Sequence, residues 1–285
     1  MSDKNPNKTK SRRQFLKQSG WAVAGIATVG TGYPILQNLL DNNGKIQLLL
    51  RPPGVINEHD FLYACIKCGL CVQICPVFAI KLADADSGLS IDTPYIDARE
   101  QACDFSCDSL QCAETCPTAA LDFIKFKNIG VQTAIELQPK VDAGEIDGKD
   151  VFKSSIANMK KAVHIGFAVV TEHSCLAAKG QGFKGTPRGN EFKGVLRYRE
   201  ISASRPQPVR EQTFDREICD LCVIHCPIEG AIQLKEQTSA AGKKQWIPEV
   251  TEACTGCGVC EMVCPTEVAS IVIKPGMSFE EAQNV

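Results

Sequence analysis

Cys254-Thr255-Gly256-Cys257-Gly258-Val259-Cys260-Glu261-Met262-Val263-Cys264-Pro265 is the stretch on which the fold turns. Three thiolates spaced C-x2-C-x2-C are placed to hold three corners of an iron-sulfur cubane, and a fourth cysteine ahead of a proline reaches a neighbouring cluster. The pattern recurs at Cys65, Cys68, Cys71 and Cys75-Pro76, and in looser form at Cys103, Cys107, Cys112 and Cys116-Pro117. A further run, Cys219, Cys222 and Cys226-Pro227, has only three. These runs use all but one of the 16 cysteines. The one left over, Cys175, follows the β-forming run Gly166-Phe167-Ala168-Val169-Val170 and is the candidate to complete the third set. The sequence therefore predicts four [4Fe-4S] clusters on sixteen cysteine ligands, with no catalytic residue.

Competing uses of so many cysteines fit less well. Disulfide frameworks have no reason to repeat three cysteines within seven residues ahead of a Cys-Pro. Zinc takes separated C-x2-C pairs and has no place for a third thiolate three residues on. No C-x-x-C-H occurs, so covalent haem attachment is not encoded. Aromatics make up 6% of 285 residues, so the clusters must stand in for part of the core, and the metal-free chain should be largely unfolded. A net charge of -2 offers no broad attraction to nucleic acid.

Residues 1–44 carry Ser11-Arg12-Arg13-Gln14-Phe15-Leu16-Lys17 followed by an apolar stretch from Trp21 to Leu40, the order of a twin-arginine export signal. No clear cleavage site follows, and about 20 apolar residues suffice to cross a bilayer, so the segment is also a candidate anchor. Arg51-Pro52-Pro53-Gly54 is a stiff leading segment. Val77 to Ile80 and Tyr95-Ile96-Asp97 bracket one hairpin; Ala231 to Leu234 and Trp246 to Val250 bracket another. Ile271-Val272-Ile273 reads as a closing strand, with an unpacked tail from Lys274 onward. Residues 122–161 are polar, cysteine-free and ambiguous between helix and loop. Residues 176–218 carry nine Lys or Arg against five Asp or Glu and read as a long solvated flap, or as a docking surface for an acidic partner. Gly180-Gln181-Gly182-Phe183-Lys184-Gly185 matches G-x-G-x-x-G by chance, since no strand precedes it. His59, His164, His173 and His225 share no spacing and are not read as ligands. Gly69, Gly256 and Gly258 are read as letting backbone approach the clusters.

Leu50-Arg51-Pro52-Pro53-Gly54, the run Cys65 to Pro76, Gln111-Cys112-Ala113-Glu114-Thr115-Cys116-Pro117 and Ala253-Cys254-Thr255-Gly256-Cys257-Gly258, together with the export signal, resemble the MauM/NapG ferredoxin-type family. Its members are periplasmic polyferredoxins of nitrate reductase and methylamine systems. The resemblance implies an α+β fold of two ferredoxin-like lobes with small hairpins, short helices and long loops. It implies electron transfer from a membrane quinol-oxidising iron-sulfur partner to a periplasmic reductase or its cytochrome, the chain being a component of that oxidoreductase system rather than a catalyst alone. The alternative is an electron-transfer subunit of a molybdoenzyme complex, to which Cys103 to Pro117 bears a likeness. That second likeness also implies how the runs pair. Residues 45–100 and 245–285 would form one lobe, and residues 101–244, with the insertion 176–218, the other. Cys65, Cys68 and Cys71 would then share a cluster with Cys264; Cys254, Cys257 and Cys260 with Cys75; Cys103, Cys107 and Cys112 with Cys226; and Cys175, Cys219 and Cys222 with Cys116. Sequential pairing, first run with second and third with fourth, is the competing arrangement.

Overall fold

Cysteine runs impose short helices, because a cysteine followed by proline must be extended and so ends the turn that precedes it. In the computed structural model, which describes residues 48–197, 206–238, 242 and 244–282, Cys75 and Cys264 close their helices with ψ of 116° and 122°. The predicted signal and anchor, residues 1–44 with Arg12 and Arg13, lie outside the described residues. Among those described, no helix is long and apolar enough to cross a membrane. Residues 48–84 and 90–282 belong to one compact unit; residues 85–89 fall outside it, in the 3-10 turn Ala85–Ser90.

In chain order, the first part holds helix α1 (Glu58–Ala64), helix α2 (Leu70–Ile74), the hairpin β1 (Ile80–Leu82) and β2 (Pro94–Ile96), and helix α3 (Gln111–Glu114). A helical hairpin follows: α4 (Ile124–Asp142) and α5 (Gly148–Lys161). The last part begins with β3 (Gly166–Val170). The short strands β4 (Phe183–Gly185), β5 (Val195–Leu196), β6 (Gln207–Pro208) and β7 (Phe214–Arg216) come next. Helix α6 (Leu221–Ile224), the hairpin β8 (Ile232–Thr238) and β9 (Lys244–Val250), helix α7 (Val259–Val263), β10 (Ile271–Pro275) and helix α8 (Phe279–Ala282) complete it.

The first and last parts repeat one plan: cysteine run, hairpin, cysteine run, closed by the segments that flank them. Strand β3 runs antiparallel to β10, with Ile271 opposite Val170 and Pro275 opposite Gly166. In the first part the leading segment takes that place. The Ile96 amide donates to Leu50 O at 2.7 Å and the Asp122 amide to Gly54 O at 2.9 Å. Helix α2 packs on α3, and α6 on α7. Leu110, Leu121, Leu221, Val259, Met262 and Val263 are fully buried beneath the runs, each contributing ~2 kcal/mol by burial.

The ambiguous stretch 122–161 is a helical hairpin. Phe126, Gly130 and Thr133 form a buried stripe on α4 that faces Ser155 and Met159 of α5; a Cβ at Gly130 would stand 2.9 Å from the Met159 sulfur. Helix α5 begins with a capping box, Asp147 accepting from the Asp150 amide at 2.9 Å and Asp150 from the Asp147 amide at 3.2 Å.

Two expectations need correction. The tail does not stay unpacked. Lys274 and Pro275 extend the closing strand, the Gly276 amide donates to Ile165 O, and Phe279 sits edge-on to Phe167 at 5.7 Å, because β3 has an apolar face to cover. Nor do the described residues of 176–218 form a solvated flap. Leu196 and Val209 are buried, and Gln101 exchanges both its amide groups with the backbone of Val195.

Candidate metal centres

The cysteine loops reverse direction through left-handed residues. Lys67 and Gly69 in the first run, Phe105 and Leu110 in the second, and Gly256 and Gly258 in the fourth all have positive φ. Such turns point successive amides inward, a geometry that favours a buried negative charge. At the last two positions glycine is also required by packing. A Cβ at Gly256 would fall 2.4 Å from Gly166 O, and one at Gly258 2.5 Å from the Ala98 Cβ.

None of the sixteen cysteines is paired in a disulfide. Three groups of four each line a small cavity of about 20 Å³. Cys65, Cys68, Cys71 and Cys116 line one, with Phe61 and Leu121. Cys226, Cys254, Cys257 and Cys260 line a second, with Ala168 and Ile232. Cys175, Cys219, Cys222 and Cys264 line the third, with Leu221 and Pro248. In the remaining group Cys107, Cys75 and Cys71 lie within electrostatic reach of Cys112, and Cys112 and Cys107 within that of Cys103.

The pairing implied by the molybdoenzyme likeness is therefore corrected. Cys75 stands with Cys103, Cys107 and Cys112, and Cys116 with the first run; Cys226 stands with the fourth run, and Cys264 with Cys175, Cys219 and Cys222. The physical reason is chain length. Each hairpin returns the chain beside the helix it left, so the fourth cysteine of a run meets the run at the other end of that hairpin before any other. Cys175 lines the same cavity as Cys219 and Cys222, carried there by the segment after β3.

Burial dominates the thiol acidities. It pushes Cys71 up to about 11, with help from Cys65, Cys116 and Cys68, and Cys219 to about 11. Cys103, Cys112, Cys222, Cys257 and Cys260 are raised further still, again first by burial. Such thiols do not ionise at neutral pH by themselves, whereas a coordinated thiol is deprotonated outright. Among the described residues no three Cys, His or carboxylate groups come close enough to grip a single ion. Four sulfurs standing around an apolar cavity suit a group with several metal corners, so the residues fit iron-sulfur cubanes. Amides already aim at sulfur: Ala79 N–H at Cys75 Sγ and Ser270 N–H at Cys264 Sγ, both at 3.3 Å.

The groups also follow one another in order. Cys71 neighbours Cys112, Cys103 neighbours Cys257, and Cys260 neighbours Cys222. The Cys103 amide donates directly to Cys257 O at 3.1 Å and the Ala102 amide to the Met262 sulfur at 3.2 Å. Sequence reading missed the clamp at this seam. Arg99 donates to Glu261 O at 2.6 Å, Cys264 O at 2.9 Å, Thr266 O at 2.6 Å and Glu267 O at 3.1 Å, satisfying carbonyls that the end of α7 leaves open. Arg188 donates to Arg99 O at 2.7 Å and lies over the Phe192 ring at 4.4 Å. Nothing in the sequence separates these arginines from surface ones.

Residues 64–120 and 217–268 match the family described as 4Fe-4S dicluster domain. The chain is 32% identical to the ferredoxin-type protein NapG of Escherichia coli K12, over 93% of the chain and 85% of that protein. It is 31% identical to the methylamine utilization ferredoxin-type protein MauM of Methylorubrum extorquens AM1, over 94% of the chain and 90% of that protein. The MauM of Paracoccus denitrificans is 30% identical, over 93% and 88%. No solved structure matches.

Proposed function

The chain belongs to the NapG/MauM ferredoxin-type family of iron-sulfur electron-transfer proteins, and from that premise we propose that it holds four [4Fe-4S] clusters in two ferredoxin-like lobes as a linear relay. The observation that carries this is the unbroken order of the cysteine sets. The Cys65 set leads to the Cys103 set, this to the Cys254 set, and this to the set of Cys175, Cys219 and Cys222. When bound, such a group supplies one-electron chemistry, and four thiolate ligands leave no iron open to a substrate. The protein's own share is to keep the sets close, exclude water with small apolar walls, and donate amides to sulfur. Cys68, the only exposed cysteine of the sixteen, gives a partner access at one end.

In this reading electrons come from a membrane quinol-oxidising iron-sulfur protein and pass to a periplasmic reductase or its cytochrome, as in a nitrate-reductase-type system. The chain is exported by the twin-arginine route and associates with the membrane through its N-terminal segment. The molybdoenzyme-subunit alternative loses the pairing that favoured it. Iron and acid-labile sulfide in the anaerobically loaded chain should reach four cubanes per protein. A plateau at three that Cys175→Ala leaves unchanged would remove Cys175 from the ligands. For export, changing Arg12 and Arg13 to Lys should retain the loaded protein in the cytoplasm; undiminished export would refute the route.

A further inference from the structure

We propose that Lys160 raises the reduction potential of the cluster held by Cys75, Cys103, Cys107 and Cys112, through a positive charge that the helical hairpin delivers to that site. The inference rests on the reading that this set binds a cluster, and it assigns a role to a stretch, 122–161, that the relay itself does not use.

Lys160 and Lys161 both lie in the last turn of α5, where a cation suits the carbonyl end of the helix. Only Lys161 points to solvent. Lys160 is half-buried, and its Nζ donates to Phe105 O at 2.7 Å. Phe105 lies midway between Cys103 and Cys107, is itself buried, and has left-handed backbone at φ 54°. The ammonium is thus fixed against the one-residue-longer loop that distinguishes this run from the first and fourth. Burial pulls its own pKa down, and Cys107, Asp108, Cys103 and Asp104 lie within electrostatic reach of it.

The two carboxylates oppose it only in part: Asp104 is held by the amides of Ser106 and Arg197, each at 2.9 Å, and Asp108 is exposed and screened by water. Reduction adds one electron to the cluster and hence one negative charge. A partly desolvated cation nearby stabilises the reduced form more than the oxidised one, and net charge is among the main determinants of these potentials. Near Cys264 the comparable cations are Arg99 and Arg188, which likewise donate to backbone carbonyls.

The test is a dithionite titration of the iron-loaded full chain followed by electron paramagnetic resonance. The component that Cys107→Ala abolishes should titrate at lower potential in Lys160→Met, with the other components unmoved and iron content equal to that of the native chain. Lys160→Arg should restore most of the shift. Lys160→Gln keeps a donor for Phe105 O without the charge and should behave as Lys160→Met. Native potential in Lys160→Met or in Lys160→Gln overturns the proposal, as does a loss of this cluster's iron in all three variants, which would make the residue a prop for the loop. If Cys107→Ala abolishes no component, the reading of the set as a cluster site fails instead, and this inference with it.

Discussion

Arg51 shows how much one residue of the leading segment holds. Its guanidinium is buried, ion-paired to Glu58 with Nε at 2.9 Å from Oε2, and donates to Thr93 Oγ1 at 2.9 Å, Pro94 O at 2.8 Å and Ser90 Oγ at 3.0 Å. It also lies 4.7 Å from the Phe61 ring centre. The two prolines that follow remove amide donors and hold the segment extended, so Leu50 and Gly54 present carbonyls to Ile96 and Asp122. Removing one partner of a buried ion pair leaves the other uncompensated, at a cost of about 3 kcal/mol. Arg51→Met should therefore lower the denaturant midpoint of the loaded protein and release iron from the first set sooner than from the rest. An unchanged midpoint would show that the Glu58 carboxylate finds water instead.

Elements, rather than single residues, decide which cysteines meet. The hairpin β1–β2 returns the chain so that α3 packs on α2, and the hairpin β8–β9 does the same for α7 on α6. Each fourth cysteine therefore crosses to the neighbouring run. Cys75→Ala is expected to abolish the same spectroscopic component as Cys103→Ala, and Cys264→Ala the same as Cys219→Ala. If Cys75→Ala instead silences the component lost in Cys254→Ala, the sequential assignment is wrong. The position that locks β3 to the fourth run is Gly256. With φ of 74° and the Gly166 carbonyl where a Cβ would go, Gly256→Ala should cost about 2 kcal/mol or more and impair loading of the Cys226, Cys254, Cys257 and Cys260 set. Iron content read at equal protein concentration measures that loss.

At the scale of the whole molecule, buried thiols replace part of what would otherwise be apolar core. Cys71, Cys112, Cys175, Cys219, Cys254, Cys257, Cys260 and Cys264 are all buried. Metal binding is then folding free energy. Stripping iron with a chelator under reducing conditions should abolish near-ultraviolet circular dichroism and protease resistance together. An iron-free chain that retains both would mean that the apolar packing around Leu221, Val259 and Met262 suffices.

The cysteine spacing alone determined that the chain carries iron-sulfur sites and where its runs lie, because a cubane constrains ligands over a few residues and leaves that constraint in the local sequence. Periodicity likewise located β3 and both hairpins within a few residues. The tertiary structure decided what depends on contacts between distant segments. It paired first run with second and third with fourth, turned the polar stretch 122–161 into a helical hairpin, folded the tail back onto β3, and packed residues near Leu196 and Val209 against the second run. It also singled out Arg51, Arg99 and Lys160 from the other cations. A side chain's charge is written in the sequence, but whether it meets water or a buried carbonyl is set by which remote backbone lies within reach.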